Sequence, residues 1–334
     1  MLSDFLDSVS GGVATSWLAL VRVPAVIFWA IGALAWWYAH PQVDVAARVQ
    51  KLTGTEQILL VALAAAALIG SSALFDQLSR PLLRGLEGYW PRFLAPVSGW
   101  LIARAVRRQR TLQEQWQRLD GLDRADQREA DQGAAIDAGE PDPRAVAGLA
   151  LRARRKARLD AQLHGYPAAE TRTMPTRLGN VLRASETYPA ERYGLDAVIA
   201  WPRLWLLLSD GTQQEIAASR RALDQSVTTL AAFVVALVWL PWAWWVAPLA
   251  VIAVPLVYQS FAVPRAAVLA ELVTAAFDLN RMALYRALRF PLPGTADAEL
   301  ASGPALTEYL WRGFPPVGFQ FTAGQDAGTA DQDS

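Results

Sequence analysis

Apolar and charged residues are sorted into separate blocks along this chain. Val23 to Ala39 (VPAVIFWAIGALAWWYA) is uncharged and extends back through Trp17 past Arg22. Gln57 to Phe75 carries no charge, and neither does Ser226 to Val263, which Pro241 and Pro248 divide in two. A hydrocarbon core about 30 Å thick is crossed by roughly 20 helical residues. The pattern therefore predicts four spans, at 17–39, 57–76, 226–245 and 246–264. Trp242, Trp244 and Trp245 fall where aromatic side chains sit at a membrane surface, and Arg22 lies close enough to a span end to snorkel. The expected fold class is an all-α integral membrane protein: four transmembrane helices with a helical cytoplasmic domain inserted between the second and third.

The intervening segments read differently. Residues 1–16 precede the first span, 40–56 form a loop, and 77–103 mix apolar residues with Pro81, Pro91 and Pro96. Within the last, Phe93, Leu94, Trp100, Leu101 and Ile102 suit an elbow or interfacial helix on the inner leaflet. The inserted domain covers 104–225, with a basic helix from Arg104 to about Leu119 and a charged amphipathic helix from Pro143 to Leu163. Between them, 120–143 is rich in Asp and Gly and reads as a flexible linker. Its acids Asp120, Asp123 and Asp126 lack the alternating oxygens, central Gly and terminal Glu of a calcium loop. Thr176, following Pro175, is positioned to cap a helix through Leu178, Val181 and Leu182. Ala197 to Leu208 is apolar but interrupted by Pro202 and Arg203, and is not counted as a span. A cytoplasmic amphipathic helix is expected at 265–293, with Asp278 and Arg281 spaced to pair. A tail follows at 294–334, disordered at Thr322 to Ser334.

Charge sets an orientation. Arg80, Arg84, Arg92, Arg104, Arg107, Arg108 and Arg110 follow the second span against only Asp76 and Glu87, and Arg220 and Arg221 precede the third. The 40–56 loop and the turn between spans three and four are poor in base. The positive-inside rule then puts both termini and the insert in the cytoplasm, with the chain multi-pass in the inner membrane. Met1 to Gly12 is acidic and lacks the basic start of a removable signal peptide.

Composition narrows the chemistry. The 334 residues contain no Cys and two His, so thiolate, disulfide and His-rich metal chemistry are not expected. A net formal charge of +0 argues against nucleic acid as a partner. The densest cluster of unusual side chains runs from Met174 to Leu208. It offers Arg177, Glu186, Tyr188, Arg192, Tyr193, Asp196, Trp201, Arg203 and Trp205 as interaction or junction residues. No nucleophile–base pair, phosphate loop or metal spacing accompanies them, so the chain is read as no enzyme, with no catalytic, cofactor or metal residue. Ala62, Ala66 and Gly70 recur every fourth residue on the second span and suit close helix packing in lipid. Arg104, Arg107, Arg108 and Arg110 are candidates for contact with anionic lipid.

The strings RPLLRGLEGYWP (80–91), PTRLGNVLRASETYPAERYGLDAVIAWPRLWLLL (175–208) and ELVTAAFDLNRMALYRALRFPLP (271–293) resemble a family of uncharacterised four-span bacterial membrane proteins, mainly actinobacterial. The resemblance implies the same layout of two spans, a helical insert and two spans, and it assigns no site residue. Two functions are compatible with that layout. One is a homo-oligomeric pore or channel-like effector regulated by its cytoplasmic domain. The other is a non-conducting anchor or scaffold whose cytoplasmic domain binds a protein partner, using the aromatic and Arg side chains that dominate interfaces.

Overall fold

The structure is a computed structural model, and it describes residues 23–43, 45–133, 143–314 and 320–321. The expectations for residues 1–22, for 134–142 of the linker and for Thr322 to Ser334 lie outside the described residues. What is described is helical, with no strand among the described residues. The helices are α1 (Val23–Ala39), α2 (Val45–Gln50), α3 (Gly54–Glu87), α4 (Ala95–Gly133), α5 (Pro143–Leu163), α6 (Arg177–Tyr193), α7 (Ala197–Leu207), α8 (Asp210–Val235), α9 (Val246–Val257), α10 (Val263–Ala287) and α11 (Ala296–Arg312). Three helical stretches, those containing α3, α8 and α9–α10, are long and apolar enough to cross a membrane. The described part of α1 is apolar but only 17 residues long.

The chain divides into two compact units, one running to Leu86 and including Ala218–Arg265, the other comprising Glu87–Ala217 and the residues from Ala266 onward. In the first unit, α3 starts with a reciprocal cap. The Thr53 backbone N–H donates to Glu56 Oε2 at 2.8 Å while the Glu56 N–H donates to Thr53 Oγ1 at 3.4 Å, satisfying donors that a helix start leaves unpaired. Small residues then allow close packing: Ala25, Ala231 and Ala232 meet Phe75, and Ile31 and Ala35 meet Ala236, Ala243 and Val246. An aromatic cluster joins α1 to the turn after α8, with Phe28 and Trp29 against Trp239 at 5.6 and 6.3 Å between ring centres. The Trp29 indole donates to Ser71 Oγ at 3.1 Å. At the start of α10, Arg265 Nη1 donates to Ala222 O at 3.0 Å and Ser226 Oγ at 2.7 Å, fastening it to α8.

In the second unit, α4 and α5 form an antiparallel hairpin. The pattern of Asp and Gly predicts a linker from residue 120, but α4 runs on to Gly133. The reason lies across the hairpin. Lys156 Nζ reaches Asp120 Oδ1 at 2.7 Å and Asp123 Oδ2 at 3.0 Å, and Arg152 reaches Asp126 at 2.5 Å. Lys156 also lies 5.2 Å from the centre of the Trp116 ring. Each partly exposed pair contributes about 0–1 kcal/mol, yet a series in register supplies what the local sequence lacks. Asp120, Asp123 and Asp126 are thus ion-pair partners. A second difference lies at the C-terminal side, where α11 occupies a stretch expected as tail. Thr295 caps it by accepting from the Ala298 N–H at 3.2 Å.

Two glycines allow backbones in this unit to touch. A Cβ on Gly303 of α11 would lie 2.1 Å from Tyr193 O, and one on Gly179 of α6 would lie 2.0 Å from Glu87 O. Both distances are far inside contact, so any side chain forces the elements apart. Gly303→Ala is expected to lower the thermal unfolding midpoint of the solubilised protein, at a cost of about 1–3 kcal/mol. Gly211→Ala, whose Cβ meets nothing within 4 Å, should leave the midpoint unchanged or raise it slightly. Equal midpoints for the two variants would contradict this packing.

Candidate functional site

The segment 175–208 is explained residue by residue. Thr176 caps α6, its Oγ1 accepting from the Gly179 N–H at 2.9 Å and donating to Glu87 O at 3.2 Å. Buried Asn180 staples the entering loop, accepting from the Met174 N–H at 2.7 Å and donating to Met174 O and Thr176 O at 2.9 Å. Gly194 closes the helix with φ +70°. Asp196 then opens α7, its carboxylate accepting from the Ile199 N–H at 3.1 Å. That bond is the ordinary duty of an acid at a helix start.

Tyr188 and Tyr193 on α6 converge on one carboxylate. Their hydroxyls donate to Asp278 Oδ2 at 3.3 Å and Oδ1 at 2.6 Å. Arg281, one turn further along α10, lies 4.1 Å from the centre of the Tyr193 ring. The expected side-chain pairing of Asp278 with Arg281 is not what forms. Arg281 donates to the Asp278 backbone carbonyl, and its guanidinium meets Glu299 of α11, with Nε 2.5 Å from Oε1. Glu299 is only 6% exposed, so this partner replaces the water it has lost. Arg192 lies over both tyrosine rings at 5.6 and 5.9 Å. Two carboxylates are therefore matched by two guanidinium groups around a pair of neutral phenols. Burial, followed by the bond to Asp278, pushes the Tyr193 hydroxyl far above its ordinary range; burial likewise raises Tyr285. A phenol held this firmly in its neutral form is a poor acid or base near pH 7. What the cluster does is join α6, α10 and α11.

The remaining sequence candidates are dispersed. Glu186 is exposed and paired with Arg183 at 3.0 Å. Trp201 packs on Phe277 and Trp205 at 5.8 Å. Arg203 bonds Ile199 O on its own helix at 3.2 Å, and Arg177 is exposed at the start of α6. Ala62, Ala66 and Gly70 lie exposed on α3. Of the four candidate lipid arginines, Arg110 is held by Glu170 through two bonds of 2.8 and 2.5 Å. Arg104 lies over Trp100 at 5.9 Å, while Arg107 and Arg108 are exposed. No group of three or more His, Cys, Asp or Glu among the described residues could hold a metal ion.

Sequence reasoning missed a polar cleft of about 450 Å³ in the first unit. Arg80, Arg220 and Arg221 line it with Asp76 and Asp224, and Pro24 of α1 contributes to its wall. Arg220 Nε lies 3.3 Å from Asp224 Oδ1. The nearby hydroxyls are turned to their own helices: Ser79 donates to Asp76 O at 2.7 Å and Thr228 to Asp224 O at 3.1 Å. Gln225 lines the space beside the guanidinium groups. In the sequence the same arginines signal topology, and nothing in their spacing predicts that they share a cleft.

Tyr193→Phe is expected to cost about 1–2 kcal/mol, because it removes a hydrogen bond to a charged acceptor. The sign of its pH dependence follows from the raised hydroxyl. A phenol more protonated in the folded state contributes stability that is complete below about pH 10 and is lost as pH rises toward its folded value. Unfolding midpoints measured from about pH 9 to 11 should fall less steeply for Tyr193→Phe than for the parent protein; parallel slopes would contradict the assignment. Comparison of the chain with protein-family models, with curated proteins and with solved structures finds no match.

Proposed function

We propose that this chain is a four-span protein of the bacterial inner membrane that assembles with copies of itself into a channel-like complex regulated by its cytoplasmic helical insert. The observation that carries the membrane part is the exposure of α3. Ile58, Leu59, Leu60 and Val61 are consecutive and each at least 50% exposed. Four consecutive helical residues point in every direction around the axis, so this stretch has no inward face of its own. Such a helix needs an apolar medium or further helices around it. The described α1, continued by the apolar residues that precede it in sequence, is counted as the first crossing.

Orientation rests on charge. Arg80, Arg84, Arg220 and Arg221 flank one end of the central spans, and the stretch 226–263 that includes the opposite turn has no charge. An inner-leaflet elbow is supported by the exposed stripe of Phe93, Val97 and Trp100, spaced along one helical face beside Arg104. Assembly rests on the face of α3 that carries Ala62, Ala66 and Gly70. Its Ala62, Ala66 and Gly70 are exposed among the described residues, where a Cβ at Gly70 would meet nothing within 4 Å. Small residues allow helices in lipid to approach closely. Four spans are too few to surround a path alone, so conduction requires several copies.

A second reading, a non-conducting scaffold, is favoured by α7. Its Val198 and Leu206 are 70% and 79% exposed, and such residues suit a cytoplasmic protein partner. The readings separate in purified protein. The parent chain, resistant to carbonate extraction, is expected to run as one defined oligomer in detergent and to release potassium from proteoliposomes. Ala66→Leu should weaken association at least tenfold, or about 1.4 kcal/mol, and reduce flux in parallel. A monomer that conducts nothing would replace the channel reading with the scaffold.

A further inference from the structure

Helix α4 carries a basic stripe that neither assembly nor conduction, as proposed above, uses. Between Val97 and Arg118 it has five arginines and a single acid, Glu114. Glu170 already occupies the fork of Arg110. Arg107, Arg108 and Arg118 are exposed and form no ion pair among the described residues, and Arg104 lies over the Trp100 ring at 5.9 Å. At about 3.6 residues per turn, Val97, Trp100, Arg104, Arg107, Arg108 and Arg118 fall within an arc of about 100°, along about 32 Å of helix. The opposite side of α4 is the one that α5 and the loop after it cover. There Gln109 bonds Pro167 O, Leu112 is buried and Asp120 meets Lys156. The stripe therefore faces away from the hairpin.

We propose that this stripe docks α4 lengthwise on an anionic membrane surface, with Phe93, Val97 and Trp100 entering the interface and Arg104, Arg107, Arg108 and Arg118 meeting the headgroups. The proposal extends the elbow described above and rests on the membrane reading. Charge alone would suit any polyanion, but the apolar end selects a bilayer. Phe93, in the turn before α4, and Trp100 are 78% and 58% exposed, and aromatic side chains beside arginines are what an interfacial helix presents to the headgroup boundary. Clusters of about four to eight basic residues next to a span attract anionic lipid, and the stripe supplies four. The outer face of α5 is also basic, with Arg154 and Arg158, but α5 holds no aromatic residue. Reach permits the docking. Helix α3 continues about 18 Å past Phe75, and the six residues from Glu87 to Phe93 span at most about 20 Å. That is enough to return to a headgroup layer about 5–8 Å deep.

The chain has no Cys, so one introduced thiol carries a fluorophore at a known place. The full chain is labelled at Thr111→Cys, on the stripe, or at Ala161→Cys, on the outer face of α5. It is placed in bilayer discs of phosphatidylcholine alone or with about 30% phosphatidylglycerol. A nitroxide on the phosphatidylcholine headgroup quenches a label that lies against the surface. Quenching at position 111 is expected to be at least about twofold stronger in the anionic discs. It should be lost at about 1 M salt, where screening acts within about 3 Å. Arg107→Gln with Arg108→Gln and Arg118→Gln should reduce it to the phosphatidylcholine level, while the label at position 161 stays unquenched throughout. Should the triple variant fail to fold, the lipid and salt comparisons on the unaltered arginines still decide. Quenching at position 111 that ignores lipid charge, or quenching at position 161 instead, overturns the proposal. No quenching at either position, in a chain that resists carbonate extraction from cell membranes, also overturns it and leaves the membrane reading intact. Polyuridylate binding that the triple variant abolishes, without quenching in the discs, gives the stripe to nucleic acid and overturns the lipid surface. Release of the chain by carbonate is the separate failure of the membrane reading itself.

Discussion

Apolar surface left exposed among the described residues is the constraint on which the first unit depends. Along α3, Ile58, Leu59, Leu60, Val61 and Leu63 are all at least half exposed. Burying such a side chain fully is worth about 1.5–3 kcal/mol, so leaving five of them half in water forgoes on the order of 5 kcal/mol. That is comparable with the whole stability of a typical domain, about 5–15 kcal/mol. The penalty vanishes when the surroundings are themselves apolar. The packing inside the unit fits such surroundings: contacts are made by alanine and aromatic rings rather than by a thick leucine core. Van der Waals fit and a few hydrogen bonds, such as Trp29 to Ser71, then carry helix association.

The polar groups of the second unit are used differently. Gln109 is buried and donates to Pro167 O at 2.9 Å, tying the loop after α5 back to α4. Glu299 is buried against Arg281, and Asp278 accepts from two tyrosines. Removing one member of such a set leaves the rest desolvated and unmatched, which costs more than the bond itself contributed. These matched groups supplement an apolar core that includes Leu178, Leu204, Phe277 and Leu306. This explains why the segment 175–208 is so crowded with functional-looking side chains: caps, staples and a carboxylate node need the same residue types that catalysis does.

Some of this was legible in the sequence and some was not, for identifiable reasons. The apolar stretches of α3, α8 and α9 and the cap at Thr176 are local features, and the pattern predicts them directly. The continuation of α4 past Asp120 is not local. It depends on Arg152 and Lys156, which arrive from a later helix. Helix α11 falls in the stretch expected as tail, and Gly303 and Pro304 lower its intrinsic preference. Yet Gly303 is there for close contact with Tyr193 O, and Leu306 is fully buried. Asp278 and Arg281 were paired by their spacing, but Glu299 offers a partner in a drier place and wins the guanidinium. The cleft escaped notice because its arginines lie far apart in sequence and had already been given a topological explanation.

That double use of arginine bears on conduction. The uncharged stretches of the spans offer a path only hydroxyls and apolar walls, such as Ser71, Ser72 and Thr228, and these hydroxyls are already donating to backbone carbonyls one turn earlier. An ion entering such a space finds few groups to replace its hydration shell, so any constriction between copies would work by wetting and drying rather than by coordinated selectivity. Charge would act only at the mouth, where Arg80, Arg220 and Arg221 stand. Arginines that set topology would then also present a positive rim that repels cations.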